Sequence, residues 1–343
     1  MNLAALQATA AALFADDRGL LAMDESNGTC NQRFAELGVP QTEAARRAYR
    51  EMLVTTPRLG EAISGAILYD ETIRQSTAAG VPFVKVLEGA GIIPGIKVDL
   101  GARPLAAHPG ETVTEGLDGL RERFAEYASM GARFAKWRAV INLGAGLPSQ
   151  GCLDANAHAL ARYAALAQEA GLAPIVEPEV LATGDETLET CRAVTEAVLQ
   201  AVFDQLRRQQ VALEGMILKP NMVTPGLARP AQDGVDAVAA ATVDCLRRAA
   251  PAAVPGIAFL SGGQSDQLAS ARLNAMAILR KSADARLPWA LSFSYGRALQ
   301  RAALELWRGD PAQVPAAQRA LLHRAQCNRA ARQGEYTAQM EPA

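Results

Sequence analysis

FAKWRAVI (Phe134–Ile141) is followed by a helical stretch (Asn156–Glu169), then APIVEPEV (Ala173–Val180), a second helical stretch (Thr187–Arg208) and GMILKP (Gly215–Pro220). The three short runs are largely apolar, as strands covered on both faces read. Working outward, the same pattern recurs at Gly19–Glu25 (GLLAMDE), Gly65–Asp70 (GAILYD), Ile92–Asp99 (IIPGIKVD), Gly256–Ser261 (GIAFLS) and Trp289–Tyr295 (WALSFSY). Further helical spacing fills Gly116–Met130 and Gly234–Ala249. Eight rounds of strand and helix predict an α/β chain, a (β/α)8 TIM barrel. A doubly wound open sheet is the alternative. No linker rich in Gly, Ser or Pro divides the chain, so residues 1–343 are expected to form one domain. Extra helices are expected before Leu20 and after Pro311, with a loose end at Gly334–Ala343.

Composition excludes several classes. A formal net charge of −2 gives no global basic field for nucleic acid. No apolar run approaches the roughly 18 residues of a membrane span, and the N-terminus lacks the basic segment of a signal peptide. Five cysteines, an odd number without a CxxC pair, read as reduced thiols of a cytoplasmic protein. His108, His158 and His323 are far apart in sequence, so no metal site and no cofactor are expected.

Five lysines stand against 29 arginines. The chain mostly uses Arg for a plain cation, so a retained Lys in an apolar setting points to chemistry that needs a removable proton. Lys281, in a polar stretch, reads as ordinary surface. Lys97, Lys136 and Lys219 each follow an apolar run. Barrel chemistry sits at the C-terminal ends of the strands. There the sequence places Asp24, Tyr69 with Asp70, Lys97 with Asp99, Lys136 with Arg138, Glu177 with Glu179, Lys219, Ser261, and Ser294 with Arg297. So many charges ringed by barrel walls are costly unless they bind a charged ligand or move protons. Gly262-Gly263 and Gly296-Arg297 follow the last two strands, where barrels commonly hold phosphate. Desolvation and neighbouring cations would favour the neutral, nucleophilic amine of Lys219. Together these features point to Schiff-base chemistry on a phosphosugar and leave the substrate open.

The strings LAMDESNGT (Leu21–Thr29), GIKVDLG (Gly95–Gly101), GLDGL (Gly116–Leu120), FAKWR (Phe134–Arg138), PIVEPE (Pro174–Glu179), LKPNMVTPG (Leu218–Gly226), FLSGGQS (Phe259–Ser265) and PWALSFSYGRALQ (Pro288–Gln300) resemble class I fructose-1,6-bisphosphate aldolase in one order over nearly the whole chain. The resemblance implies reversible, metal-independent cleavage of fructose 1,6-bisphosphate, in glycolysis or gluconeogenesis, to dihydroxyacetone phosphate and glyceraldehyde 3-phosphate. It implies Lys219 as Schiff-base nucleophile. Glu177 would be the acid/base for dehydration with Glu179 beside it, Asp24 the residue assisting C4 hydroxyl deprotonation, and Lys136 the supporting cation. Ser261, Gly262 and Arg297 would hold the C1 phosphate, and Gly263, Ser294 and Gly296 are further expected substrate- or phosphate-binding residues. Ser26, Thr29, Arg33 and Lys97 would face the C6 phosphate, with Arg138 lining the pocket. It also implies a homotetramer.

Two departures from the family pattern stand out. Gln32 occupies a position where the family usually has a Lys at the C6 phosphate. The chain also stops at Ala343, without the longer tail and terminal Tyr of many members, and Tyr336 is not given that role. Rival readings are a transaldolase or deoxyribose-phosphate aldolase, disfavoured by two phosphate sites, and a non-catalytic binding barrel, disfavoured by the full set of buried charges.

Overall fold

The computed structural model describes residues 2–281 and 287–341. Ten strands are present among them: β1 (Gly19–Met23), β2 (Ile63–Leu68), β3 (Ile93–Lys97), β4 (Ala102–Pro104), β5 (Thr112–Thr114), β6 (Phe134–Asn142), β7 (Ala173–Leu181), β8 (Ile217–Leu218), β9 (Gly256–Phe259) and β10 (Ala290–Tyr295). Eight of them close a barrel of parallel neighbours in the order β1-β10-β9-β8-β7-β6-β3-β2. The (β/α)8 reading holds and the open sheet is excluded, because β1 pairs with β10 (Leu20 with Ser294) and leaves no edge. β4 and β5 form an antiparallel hairpin outside the barrel that the sequence reading lacked.

The period-two alternation of strands builds the site. Along β6 the inward residues are Phe134, Lys136 and Arg138; along β7 they are Ile175, Glu177 and Glu179. The apolar members, Phe134 and Ile175, pack with Leu20, Ile67, Ile217 and Ala258 in an inner core. One or two steps further along each strand the side chains become charged. Register sets the heights: Arg138 lies opposite Glu177, and Ile175 opposite Ile217, which levels Glu177 with Lys219.

The helix Leu3–Leu13 is more than decoration. Leu6, Leu13 and the following Phe14 join the inner core and plug the N-terminal end of the barrel. At that end Arg332, on the helix Val314–Arg332, donates to the main-chain oxygens of Phe14, Arg18 and Leu291. Burial pushes its pKa down to about 10. The expected loose end is also packed: Tyr336 is buried, its hydroxyl 2.6 Å from Glu341, which pairs with Arg324 at 2.8 Å. Residues 342–343 lie outside the described part. Among the described residues no helix is long and apolar enough to cross a membrane.

Candidate active site

A cavity of about 950 Å³ opens at the C-terminal end of the barrel strands. All sixteen residues expected from the sequence line it: Asp24, Ser26, Thr29, Arg33, Lys97, Lys136, Arg138, Glu177, Glu179, Lys219, Ser261, Gly262, Gly263, Ser294, Gly296 and Arg297.

At its floor, Lys219 Nζ lies 3.0 Å from Glu177 Oε1. Lys136 Nζ lies 3.2 Å from Glu177 Oε2 and 2.6 Å from Asp24 Oδ2. The four side chains thus alternate in sign: Lys219, Glu177, Lys136, Asp24. All are nearly enclosed, since Glu177, Lys136 and Lys219 are each 3% exposed and Asp24 is 9% exposed. The sequence suggested a lysine among cations. The structure corrects this: the direct partner of Lys219 is a carboxylate, because buried charges persist when paired.

Burial alone would push the Asp24 carboxyl up. The neighbouring Lys136, Lys219 and Lys97 outweigh it and hold Asp24 well below the usual carboxylate range. Glu177 is likewise lowered, with burial opposed by Lys136, Lys219 and Arg138. Lys136 moves the other way. Burial disfavours its ammonium, but Asp24, Glu177 and Asp99 together raise its pKa above that of an ordinary lysine. It is a fixed positive charge at neutral pH. Arg138 is held by Glu179 through its Nε.

The cavity has an anion-fitting region on each side of this floor. On one side, Ser261 is followed by Gly262 (φ 56°) and Gly263 (φ 82°), left-handed conformations that Gly adopts without strain. Gly296 caps the helix Arg297–Trp307, with Arg297 at its first position. Ser294 Oγ is buried in the cavity wall with no protein partner. On the other side, the helix Asn27–Glu36 begins at Ser26, whose Oγ accepts from the Thr29 N–H at 3.3 Å.

Arg33 and Lys97 also lie on that second side, but each brings its own carboxylate. Arg33 Nη1 sits 2.5 Å from Glu25 Oε1, and Lys97 Nζ 2.6 Å from Asp99 Oδ1. Glu25 went unread in the sequence, although it stands between Asp24 and Ser26. It also accepts from Gln300 Nε2 at 3.0 Å, and Gln300 donates to the Ala22 oxygen at 2.6 Å. Gln32 is exposed and is not among the residues lining the cavity. Among the described residues, no three His, Cys, Asp or Glu side chains are grouped as metal ligands.

The family of proteins described as fructose-bisphosphate aldolase class-I matches residues 5–343. The chain belongs to the class I fructose-bisphosphate aldolase family. A Xanthomonas campestris pv. campestris relative named probable fructose-bisphosphate aldolase class 1 is 58% identical over 310 residues, covering 90% of this chain and 91% of the relative. The cytosolic fructose-bisphosphate aldolase 6 of Arabidopsis thaliana is 49% identical, with coverage of 96% and 91%. Among solved structures, the fructose-bisphosphate aldolase of Plasmodium falciparum, in a ternary complex with TRAP and a small-molecule inhibitor, superposes with a TM-score of 0.95 at 45% identity. That match covers 98% of this chain and 96% of the other. Aldolases of this family cleave fructose bisphosphate in glycolysis, and this chain is a lyase of the same class.

Proposed function

We propose that this family member cleaves fructose 1,6-bisphosphate through a Schiff base on Lys219, with Glu177 and Asp24 moving the protons. The observation that carries the assignment is the alternating row Lys219–Glu177–Lys136–Asp24, set between two anion-fitting ends of one cavity. A proton passes from Lys219 Nζ to Glu177 across 3.0 Å, leaving an amine and an acid. The amine adds to the C2 ketone. The acid of Glu177 then protonates the carbinolamine hydroxyl, which leaves as water and gives the iminium.

Asp24, kept ionised by Lys136, takes the C4 hydroxyl proton as the C3–C4 bond breaks. The electron pair of that bond flows into the iminium to give an enamine, and glyceraldehyde 3-phosphate leaves. Protonation at C3 and hydrolysis of the imine then free dihydroxyacetone phosphate and regenerate Lys219. We assign the C1 phosphate to Ser261, Gly262, Gly263, Ser294, Gly296 and Arg297. The C6 phosphate falls to Ser26, Thr29, Arg33 and Lys97, with Arg138 and Glu179 on the wall between. The test of the covalent assignment is borohydride trapping with dihydroxyacetone phosphate, followed by identification of the labelled lysine.

In this mechanism the iminium is the electron sink, so full activity is expected after treatment with EDTA. Loss on chelation that zinc restores would replace the scheme with a metal-dependent one.

Gln32 bears on preference between substrates. It stands three residues after Thr29 and immediately before Arg33 on the helix Asn27–Glu36. An amide is a weaker phosphate donor than an ammonium, because charge-assisted hydrogen bonds are roughly twice as strong as neutral ones. Gln32→Lys is therefore expected to raise kcat/KM for the bisphosphate by about fivefold and leave fructose 1-phosphate unchanged. No gain, or an equal gain on both, would mean that residue 32 does not sense the distal phosphate.

A cytoplasmic setting is supported by five free, buried thiols. A homotetrameric state rests on the family alone, and light scattering of the purified protein measures it.

A further inference from the structure

Behind the Ser261–Gly263 turn lies an arginine that the mechanism does not use. Arg272 sits on the helix Asp266–Lys281 and is 2% exposed. Its Nη1 donates to Gln264 Oε1 at 2.8 Å. Its Nη2 reaches the Asp233 main-chain oxygen at 3.4 Å, and its Nε has no partner. Among the described residues no carboxylate oxygen lies within ion-pair distance of it. Arg50, by contrast, is 1% exposed and lies 3.5 Å from Glu25. Burial pushes the pKa of Arg272 below the ordinary guanidinium value, the Asp233 carboxylate opposing this from beyond ion-pair distance without cancelling it, and the guanidinium stays charged at neutral pH. An enclosed charge of this kind is costly unless something compensates it.

The hydrogen bonds lead to the compensating group. Gln264 Nε2 donates to the Ser261 main-chain oxygen at 2.9 Å and contacts Met222 Sδ at 3.6 Å. The bond to Arg272 fixes which end of the Gln264 amide faces Ser261. The guanidinium therefore stands two hydrogen bonds behind the turn whose front lines the cavity. In a medium of low dielectric, a positive charge at that depth acts strongly on an anion held in front of the turn.

We propose that Arg272 is a positioning residue for the C1 phosphate: its buried guanidinium, in no close ion pair, orients Gln264 and the Ser261–Gly263 turn and supplies a fixed counter-charge behind them. The proposal rests on the assignment of that phosphate to Ser261, Gly262 and Arg297. It explains why an arginine with no carboxylate within ion-pair distance occupies a buried position where an apolar side chain would pack at lower cost.

The test compares dihydroxyacetone phosphate with unphosphorylated dihydroxyacetone in borohydride inactivation of the full chain. Both ligands offer Lys219 the same ketone, and only the first carries the anion. In Arg272→Met, the dihydroxyacetone phosphate concentration for half-maximal inactivation is expected to rise about tenfold, while that for dihydroxyacetone stays unchanged. Arg272→Gln removes the charge while keeping a polar amide donor on a shorter side chain, and is expected to show the same selective loss; it serves where the Met variant folds poorly. Equal shifts for the two ligands would reduce Arg272 to a general structural role and overturn the proposal. No shift for either variant would overturn it as well. Arg297→Ala separates the two levels of the argument. If it loses the advantage of the phosphorylated ligand while the Arg272 variants keep it, the inference about Arg272 alone fails. If all of the variants keep it, the phosphate assignment fails too.

Discussion

Lys219→Arg is expected to lose on the order of 10⁴-fold or more in kcat, although the positive charge is retained. The step that fails is the first one. A guanidinium does not release a proton at accessible pH, so no amine forms to attack the ketone. Handing the proton to Glu177, 3.0 Å away, is open only to the lysine. The same experiment reads out the covalent bond. Wild-type protein treated with dihydroxyacetone phosphate and borohydride should be inactivated with a single modified lysine, and Lys219→Arg should take up no label. A label on Lys136 or Lys97 instead would move the nucleophile and break the scheme. The geometry argues against that outcome. Lys136 is held by Asp24 and Glu177 at 2.6 and 3.2 Å, and their charges stabilise its ammonium.

Glu177→Gln and Asp24→Asn should both lose about 10²- to 10⁴-fold in turnover, the usual scale of a positioned acid or base, but they should stall at different points. Glu177→Gln leaves Lys219 without a proton acceptor and the carbinolamine without a donor. Borohydride trapping should slow in parallel with turnover. Asp24→Asn leaves Lys219 and Glu177 in contact, so trapping should continue near the wild-type rate while cleavage of the bisphosphate fails. Equal trapping rates in the two variants would dissolve this division of labour. The Asp24 substitution also removes the partner at 2.6 Å that contributes to the raised pKa of Lys136. The folded-state pKa of Lys136 should therefore drop toward the ordinary lysine value, and the stabilisation it gives should be lost at lower pH as pH rises.

The fold was legible because every barrel strand, however short, is apolar where it crosses the core. β8 spans only Ile217–Leu218, yet MILKP announces it. The hairpin of β4 and β5 was not legible: three residues a side, with Ala102–Pro104 exposed, carry no alternation to read. The cavity residues were legible because polar side chains at strand ends break otherwise apolar runs. Their pairing was not. Nothing local in the sequence says that Lys219 meets Glu177; that contact comes from the register between β7 and β8. Glu25 and Gln300 were overlooked for a related reason. Glu25 sits in a polar stretch beside the more conspicuous Asp24, Gln300 lies between Leu299 and Arg301 in a helical segment of mixed polarity, and their meeting requires β1 and the helix Arg297–Trp307 to be neighbours in space. Tyr336 and Glu341 lie in a segment with no apolar periodicity, so their anchoring to Arg324 could not be anticipated.

The seam between β1 and β10 has a consequence for how the molecule is born. Leu20 leaves the ribosome long before Ser294, its partner across the seam. At ~5–20 residues per second, the growing chain carries an unpaired sheet edge for on the order of tens of seconds. The plug at Leu6 and Leu13 waits equally long for the walls it seals. Arg332, which ties Phe14 and Arg18 to Leu291, is made later still. Closure is thus an event at the end of synthesis, and release of a nascent chain stopped before β10 should yield material that aggregates through its open edge.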